Sequence, residues 1–198
     1  MNNRFFNLNE IIQKKEAPKK SDIDSKWTSK YLLKHFEKVS NLEEDLVRLP
    51  TIEEFFFLQT DNSFNAFTFI PMICKLFSVK EMYASTYSIS RKAIDALIEL
   101  HDSGCIEQIT LMVSDSMIKR NPVTIDNLMS MANARANFTV NYAWSHAKVC
   151  IMKTEDAYYV IEGSGNWAEN AHYEQYLFAN SKGLYEFRKK LFTEAKLR

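Results

Sequence analysis

The sequence is poor in the residues that staple or clamp small folds. It holds three cysteines, four histidines, four glycines and four prolines in 198 residues. Cys74, Cys105 and Cys150 are odd in number and far apart, without the spacing of a metal site. This excludes a disulfide framework and reads as reduced, mostly buried thiols, with no metal or other cofactor expected. No apolar run approaches the ~18 residues that a membrane-crossing helix needs. The opening stretch MNNRFFNLNEIIQKK has neither the apolar core nor the small-residue cleavage site of a secretory signal. A cytoplasmic location and no membrane partner are therefore expected. The formal net charge is zero, so overall charge argues neither for nor against a nucleic-acid partner.

Apolar residues make up 46% of the chain and charged residues 25%, the balance of a globular protein with one main domain. The charge is unevenly placed. Residues 1–40 carry nine Lys/Arg against five Asp/Glu, and the remainder 16 against 20. The Lys-rich stretch KKEAPKK suggests a loose arm. After it, Ser21 or Asp22 can cap a helix whose apolar residues Ile23, Trp27, Tyr31, Leu32 and Phe36 share one face. Pro50 breaks this pattern. The division expected is a basic N-terminal arm, helical or flexible, over residues 1–50 and a compact domain over 51–198.

Within that domain strands and helices alternate. Strands are expected at EFFFLQT (read as buried), EMYASTYSI, IEQITLMVSD, NFTVNYAW, HAKVCIM, AYYVIEG and EQYLFAN. Helices are expected in DNSFNAFTFIPMICKLF, where Pro71 kinks the helix or resets its start, in RKAIDALIELHDSG after the cap Ser90, in PVTIDNLMSMANAR opened by Pro122, and in KGLYEFRKKLFTEAK. This order implies an α/β fold, a mixed β-sheet flanked by helices on both faces.

The chemistry concentrates in WSHAKVCIMKTEDAYYVIEGSGNW, Trp144 to Trp167. On a strand His146 and Lys148 point to one face, roughly 7 Å apart along the chain. A lysine beside an imidazole opposes its protonation and favours the neutral ring that nucleophilic attack requires. The next strand of the hairpin brings Gly163, Ser164 and Asn166 to the same end. The glycines permit close backbone approach, and the Ser hydroxyl and Asn amide can donate to phosphate oxygens. Together these residues describe an oxyanion pocket containing a nucleophile.

His146-x-Lys148, Asp156 and Gly163-Ser164-x-Asn166 resemble the phospholipase D superfamily signature H-x-K-x4-D-x6-G-S-x-N, the HKD motif. Six residues separate Asp156 from Gly163, as in the pattern, but seven rather than four separate Lys148 from Asp156, so the hairpin is longer by three. The resemblance covers roughly residues 53–192. It implies a phospholipase D-like fold and phosphodiester hydrolysis through a phosphohistidine on His146, without a metal. Lys148, Ser164 and Asn166 would hold the phosphate, and Asp156 and Gly163 would shape the hairpin. An acidic residue on the strand after the motif would orient the imidazole; Glu174 matches best, with Glu169 the fallback.

The chemistry of the resembled family uses two histidines, and this chain has one motif. His35 and His101 are placed elsewhere along the chain, and His172 has no lysine two residues on, although it is close enough in sequence to line the pocket. The family's small single-motif members pair two copies, so a homodimer is expected. Such members are most often nucleases. The basic arm and Lys119, Arg120 and Arg135 favour a polyanion, DNA or RNA, and Trp144, Trp167, Tyr158 and Tyr159 can either stack on bases or pack in the sheet. Two other readings remain: a catalytically weak or inactive nucleic-acid-binding or assembly protein with this fold, and a phospholipid phosphodiesterase.

Overall fold

The computed structural model describes residues 41–44, 46, 48–60, 64–168 and 173–197. The amphipathic stretch from Ser21 to Phe36, and with it the expected arm up to residue 40, lies outside the described residues, as do His35, Glu169 and His172. Among the described residues seven strands form one sheet: β1 (Glu54–Thr60), β2 (Glu81–Thr86), β3 (Ile109–Ser114), β4 (Phe138–Ala143), β5 (Val149–Lys153), β6 (Tyr158–Gly163) and β7 (Glu174–Asn180). The helices are α1 (Phe69–Leu76, entered by a 3-10 turn at Ala66–Thr68), α2 (Arg91–Asp102), α3 (Ser116–Arg120), α4 (Pro122–Asn133) and α5 (Lys182–Thr193). The strands lie in the order β1-β7-β6-β5-β2-β3-β4. β2, β3 and β4 run parallel, while β5, β6, β7 and β1 pair antiparallel. The sheet is mixed, as the alternation of elements implies, with helices on both faces.

Local chemistry sets the helix starts. The Ser90 hydroxyl accepts the Ala93 amide at 3.2 Å at the head of α2, and Asn121 accepts the Thr124 amide ahead of Pro122 in α4. Pro71 falls in the first turn of α1 and therefore opens the helix rather than kinking it, because amides there have no intrahelical acceptor to lose. Past α2, Gly104 takes φ +79°, a backbone state open to glycine without steric cost.

The larger core lies on the face covered by α1, α2 and α4. There Ile94, Leu97 and Leu128 meet Leu111, Cys150 and Phe178. Leu42 and Leu46 are buried in it too, so packing reaches back before residue 51. On the other face α5 lies mainly over β5 and β6, setting Tyr185 and Phe192 over Val149, Ile151 and Val160. That limited reach corrects the reading of EFFFLQT as a buried strand. β1 is the sheet's edge, beyond the reach of α5, and Phe55 and Phe57 on that face are 43% and 71% exposed. The short helix α3 is an addition to the expected elements. β5 begins at Val149, so His146 and Lys148 precede the strand instead of lying in it.

α5 is fastened to β2 through one carboxylate. Glu81 accepts from the Tyr185 hydroxyl at 2.9 Å, from Lys189 Nζ at 3.0 and 3.1 Å, and from the Tyr83 hydroxyl at 3.3 Å. Burial raises the Glu81 pKa, but the donors, Lys189 and Tyr185 foremost, bring the net value below the ordinary one. A lowered carboxylate pKa contributes stability above the unfolded value, ~4.3, and loses it as pH falls. Glu81→Gln is expected to lose about 1 kcal/mol at pH 7, between an exposed ion pair and a buried charged hydrogen bond. Urea titrations should show the gap to the parent closing as the pH drops below the ordinary glutamate range.

Candidate active site

β4 is the sheet's far edge, and β5 lies on the other side of β2. The chain leaving Ala143 must cross the ends of β3 and β2 to enter β5 at Val149. Three strand spacings amount to about 14 Å, and the six residue steps available span about 20 Å at most. Residues 144–148 are therefore held extended across the carboxyl ends of the parallel strands. Strand order reverses here, and open α/β sheets bind ligands in the crevice at such a point. The Ser85 hydroxyl, at the end of β2, donates to the Ala147 carbonyl at 3.2 Å and fixes the crossing.

The crossing carries His146 and Lys148. Lys148 Nζ lies 3.1 Å from His146 Nδ1 and 3.1 Å from the His146 carbonyl. The imidazole is exposed at the rim, while the lysine is half-buried beside Gly163, Gly165 and Trp167. Burial lowers the Lys148 pKa below the ordinary lysine value, opposed by the negative charge of Glu174 and by Tyr87. With Lys148 as an ammonium donating to Nδ1, the imidazole proton resides on Nε2.

β6 brings the second half of the site alongside. The Gly163 amide donates to the Lys148 carbonyl at 3.2 Å. A Cβ on Gly163 would overlap the Tyr176 ring and the Gln175 carbonyl, which is why glycine is required at this position. The Ser164 amide donates to the Gln175 carbonyl at 3.1 Å, and the Gln175 amide donates to Ser164 Oγ at 3.1 Å. The Ser164 hydroxyl proton goes to the buried Glu174 carboxylate. Glu174, expected to orient the imidazole, holds Ser164 here, because β6 and β7 are neighbours in the sheet. Asn166 is half-buried, and the next residue, Trp167, is tied by its amide to Thr86 Oγ1 and the Ser88 carbonyl at 3.2 and 3.1 Å.

The remaining candidates divide by position. Lys119 and Arg120 are exposed on α3, at the carboxyl end of β3 and so at the site. Arg135 just precedes β4 at the opposite end of the sheet, where it holds Asp102 and the Met131 carbonyl. Asp156 is exposed in the β5–β6 turn, also at the far end, consistent with shaping the hairpin but not with touching a ligand at His146. Trp167 is buried against Phe67 and Tyr159 against Phe178, so both belong to the core. Tyr158 packs on Tyr185 at the far end. Trp144 alone of the four stands at the rim, 77% exposed.

One residue at the site was missed from sequence. Tyr87 follows β2, and its ring centre lies 4.4 Å from that of His146, 4.4 Å from the Arg120 guanidinium carbon and 5.9 Å from Lys148 Nζ. The Tyr-Ser pair ending EMYASTYSI marks the carboxyl end of a parallel strand, and that position was the available signal. Among the described residues, no group of three or more His, Cys, Asp or Glu is arranged to hold a metal ion, and no helix is long and apolar enough to cross a membrane.

No family model matches the chain, and no curated protein matches it. Solved structures do. Polyphosphate kinase from Porphyromonas gingivalis superposes with a TM-score of 0.53 at 11% identity, over 72% of this chain and 26% of its own. The fold is phospholipase D-like. This chain spans about a quarter of that kinase's length. Phosphatidylserine synthase from Haemophilus influenzae Rd KW20 aligns with a TM-score of 0.49 at 11% identity, over 76% of this chain and 41% of its own.

In this phospholipase D-like sheet the close approach of Gly163 to β7 depends on the missing side chain. Gly163→Ala must push apart Tyr176 and the β6–β7 pair, and is expected to cost ~1–3 kcal/mol as other overpacked sites do. Thermal unfolding of the purified variant checks this, with Gly183→Ala, where a Cβ meets only the Ser181 hydroxyl at 3.9 Å, as the control.

Proposed function

We propose that the chain is a phosphodiesterase of the phospholipase D superfamily, a nuclease that works as a homodimer without a metal. The observation that carries this reading is the His146–Lys148 contact, set beside the Gly163–Asn166 turn at the point where strand order reverses. A phosphate entering there meets the Lys148 ammonium and draws it off Nδ1. The imidazole proton can then reside on Nδ1, which leaves the Nε2 lone pair to attack phosphorus. A P–N bond forms, the P–O bond to the leaving group breaks, and a second histidine supplies the leaving oxygen's proton. Water then cleaves the P–N bond and restores His146. In this reading Lys148 and the Asn166 amide stabilise the charge that gathers on the non-bridging oxygens.

No second histidine stands beside His146 among the described residues. Among the described residues, His101 sits at the end of α2, away from the site, bound to Asp102 and Asn137 at 3.1 and 3.0 Å. A second copy of the chain, facing the first across a two-fold axis, supplies another His146.

His146→Asn is expected to abolish hydrolysis of bis(p-nitrophenyl) phosphate in excess EDTA without unfolding the protein, since the side chain is exposed. If two histidines share one centre, co-refolding parent and variant should give activity that falls as the square of the parent fraction. A linear fall means that each copy works alone.

The pH dependence follows from Lys148. Its pKa is lowered, so the ammonium needed for phosphate binding is lost at a pH below the ordinary lysine value, ~10.4. The alkaline limb of kcat/KM should lie below that value and move upward in Lys148→Arg, whose guanidinium stays charged.

A second reading has an observation of its own. The Ser164 proton is held by Glu174, and among the described residues no carboxylate bonds His146. That arrangement favours a catalytically weak protein that binds nucleic acid. Binding of an oligonucleotide with no turnover of either substrate would establish it.

A further inference from the structure

Arg120 is held differently from three of the other described arginines. Arg48, Arg135 and Arg188 each hold a carboxylate. Arg120 has no such partner among the described residues, and is instead positioned by stacking on Tyr87 and by single Nη2 bonds to Ser116 Oγ at 3.2 Å and the Tyr87 carbonyl at 3.5 Å. Ser116 is in turn bonded to Ser114 Oγ at 3.0 Å, at the end of β3. The guanidinium is thus held in place with Nε and Nη1 uncommitted among the described residues, and a planar donor fork of this kind matches phosphate oxygens.

Its location matters as much as its freedom. Tyr87 touches both His146 and Arg120, so the nucleophile and the guanidinium are linked through one ring. Lys148 approaches that ring more distantly, on the side toward Gly163. Beyond Arg120, the Asp115 amide donates to the Ala143 carbonyl at 3.0 Å, which places exposed Trp144 beside the start of α3. A cation and an aromatic surface therefore follow the nucleophile along the rim, the pairing that a single strand of nucleic acid recognises with its phosphates and its bases.

We propose that Arg120, held on Tyr87, binds the phosphate next to the scissile one and that Trp144 stacks a neighbouring base, so that the site takes single-stranded nucleic acid. The inference rests on the phosphodiesterase reading for the identity of the scissile phosphate, but its binding arm can be tested without catalysis.

The experiment measures the anisotropy of a fluorescent single-stranded 12-mer against the full-length protein at several salt concentrations. Arg120→Ala is expected to weaken binding ~10-fold and to lower the salt slope by ~0.7, one released counterion on a single strand. Trp144→Ala is expected to weaken binding ~5- to 100-fold with the slope unchanged, since stacking on a base releases no counterion. In hydrolysis, the ratio of kcat/KM for the 12-mer to kcat/KM for bis(p-nitrophenyl) phosphate should fall ~10-fold in Arg120→Ala, because the small ester has no second phosphate. Tyr87→Phe keeps the ring and should retain the parent's affinity and slope.

Parent-like affinity and slope in Arg120→Ala overturn the proposal. So does equal loss on both substrates, which would mean that the arginine only supports Tyr87. A duplex or a polyphosphate chain bound more tightly than the single strand also overturns it. Failure of the parent protein to turn over either ester sinks the phosphodiesterase reading alone and leaves the binding result to stand or fall by itself.

Discussion

Five residues have to carry the chain from one side of the sheet to the other. β4 ends at the edge beyond β3, β5 begins beyond β2, and the distance between them consumes most of the reach of residues 144–148. An extended chain over strand ends can form few backbone hydrogen bonds of its own, so its side chains and carbonyls are fixed by what lies beneath. Ser85 holds the Ala147 carbonyl, and the Gly163 amide holds that of Lys148. The His146–Lys148 contact is a consequence of this crossing rather than of a regular strand.

The two sides of the crossing differ in character. Toward β6 and β7 the site is tight. Gly163 admits no side chain, Ser164 is bonded to Glu174 and Gln175, and the Trp167 ring is packed into the core. Lys148 is desolvated on this side, where a phosphate gains most from a cation because water competes least. Toward β3 and β4 the site is open, with Tyr87, Arg120 and Trp144 on an exposed rim. The site thus has a closed half beside β6 and β7 and an open half beside β3 and β4.

Much of the fold was legible because its signals are local. β1 and β7 occur at EFFFLQT and EQYLFAN as read, and Ser90 and Pro122 open their helices, since capping and φ preference act within a few residues. The burial of β1 was misread because an aromatic run looks the same at an edge as in the middle. Only the reach of α5 exposes Phe55 and Phe57. The start of β5 was misplaced because His-Ala-Lys-Val continues the alternation of a strand although no partner strand lies beside it before Val149. Tyr87 was passed over because an aromatic at a strand end usually belongs to the core.

The sequence by itself determined which residues meet beside the crossing: a histidine and lysine two apart, a Gly-Ser-x-Asn turn, and the alternating elements that imply a mixed sheet. These follow from residue type and spacing, which local sterics and hydrogen bonding translate directly into structure. Only the tertiary structure decided which charged groups share the site. Arg120 and Arg135 lie 15 positions apart and looked equivalent, yet α4 separates them and returns the chain to the sheet's opposite end before β4 begins. It also decided that Glu174 meets Ser164 and that Tyr87 meets His146. Strand order sets those distances, and it depends on how the whole sheet buries its two faces.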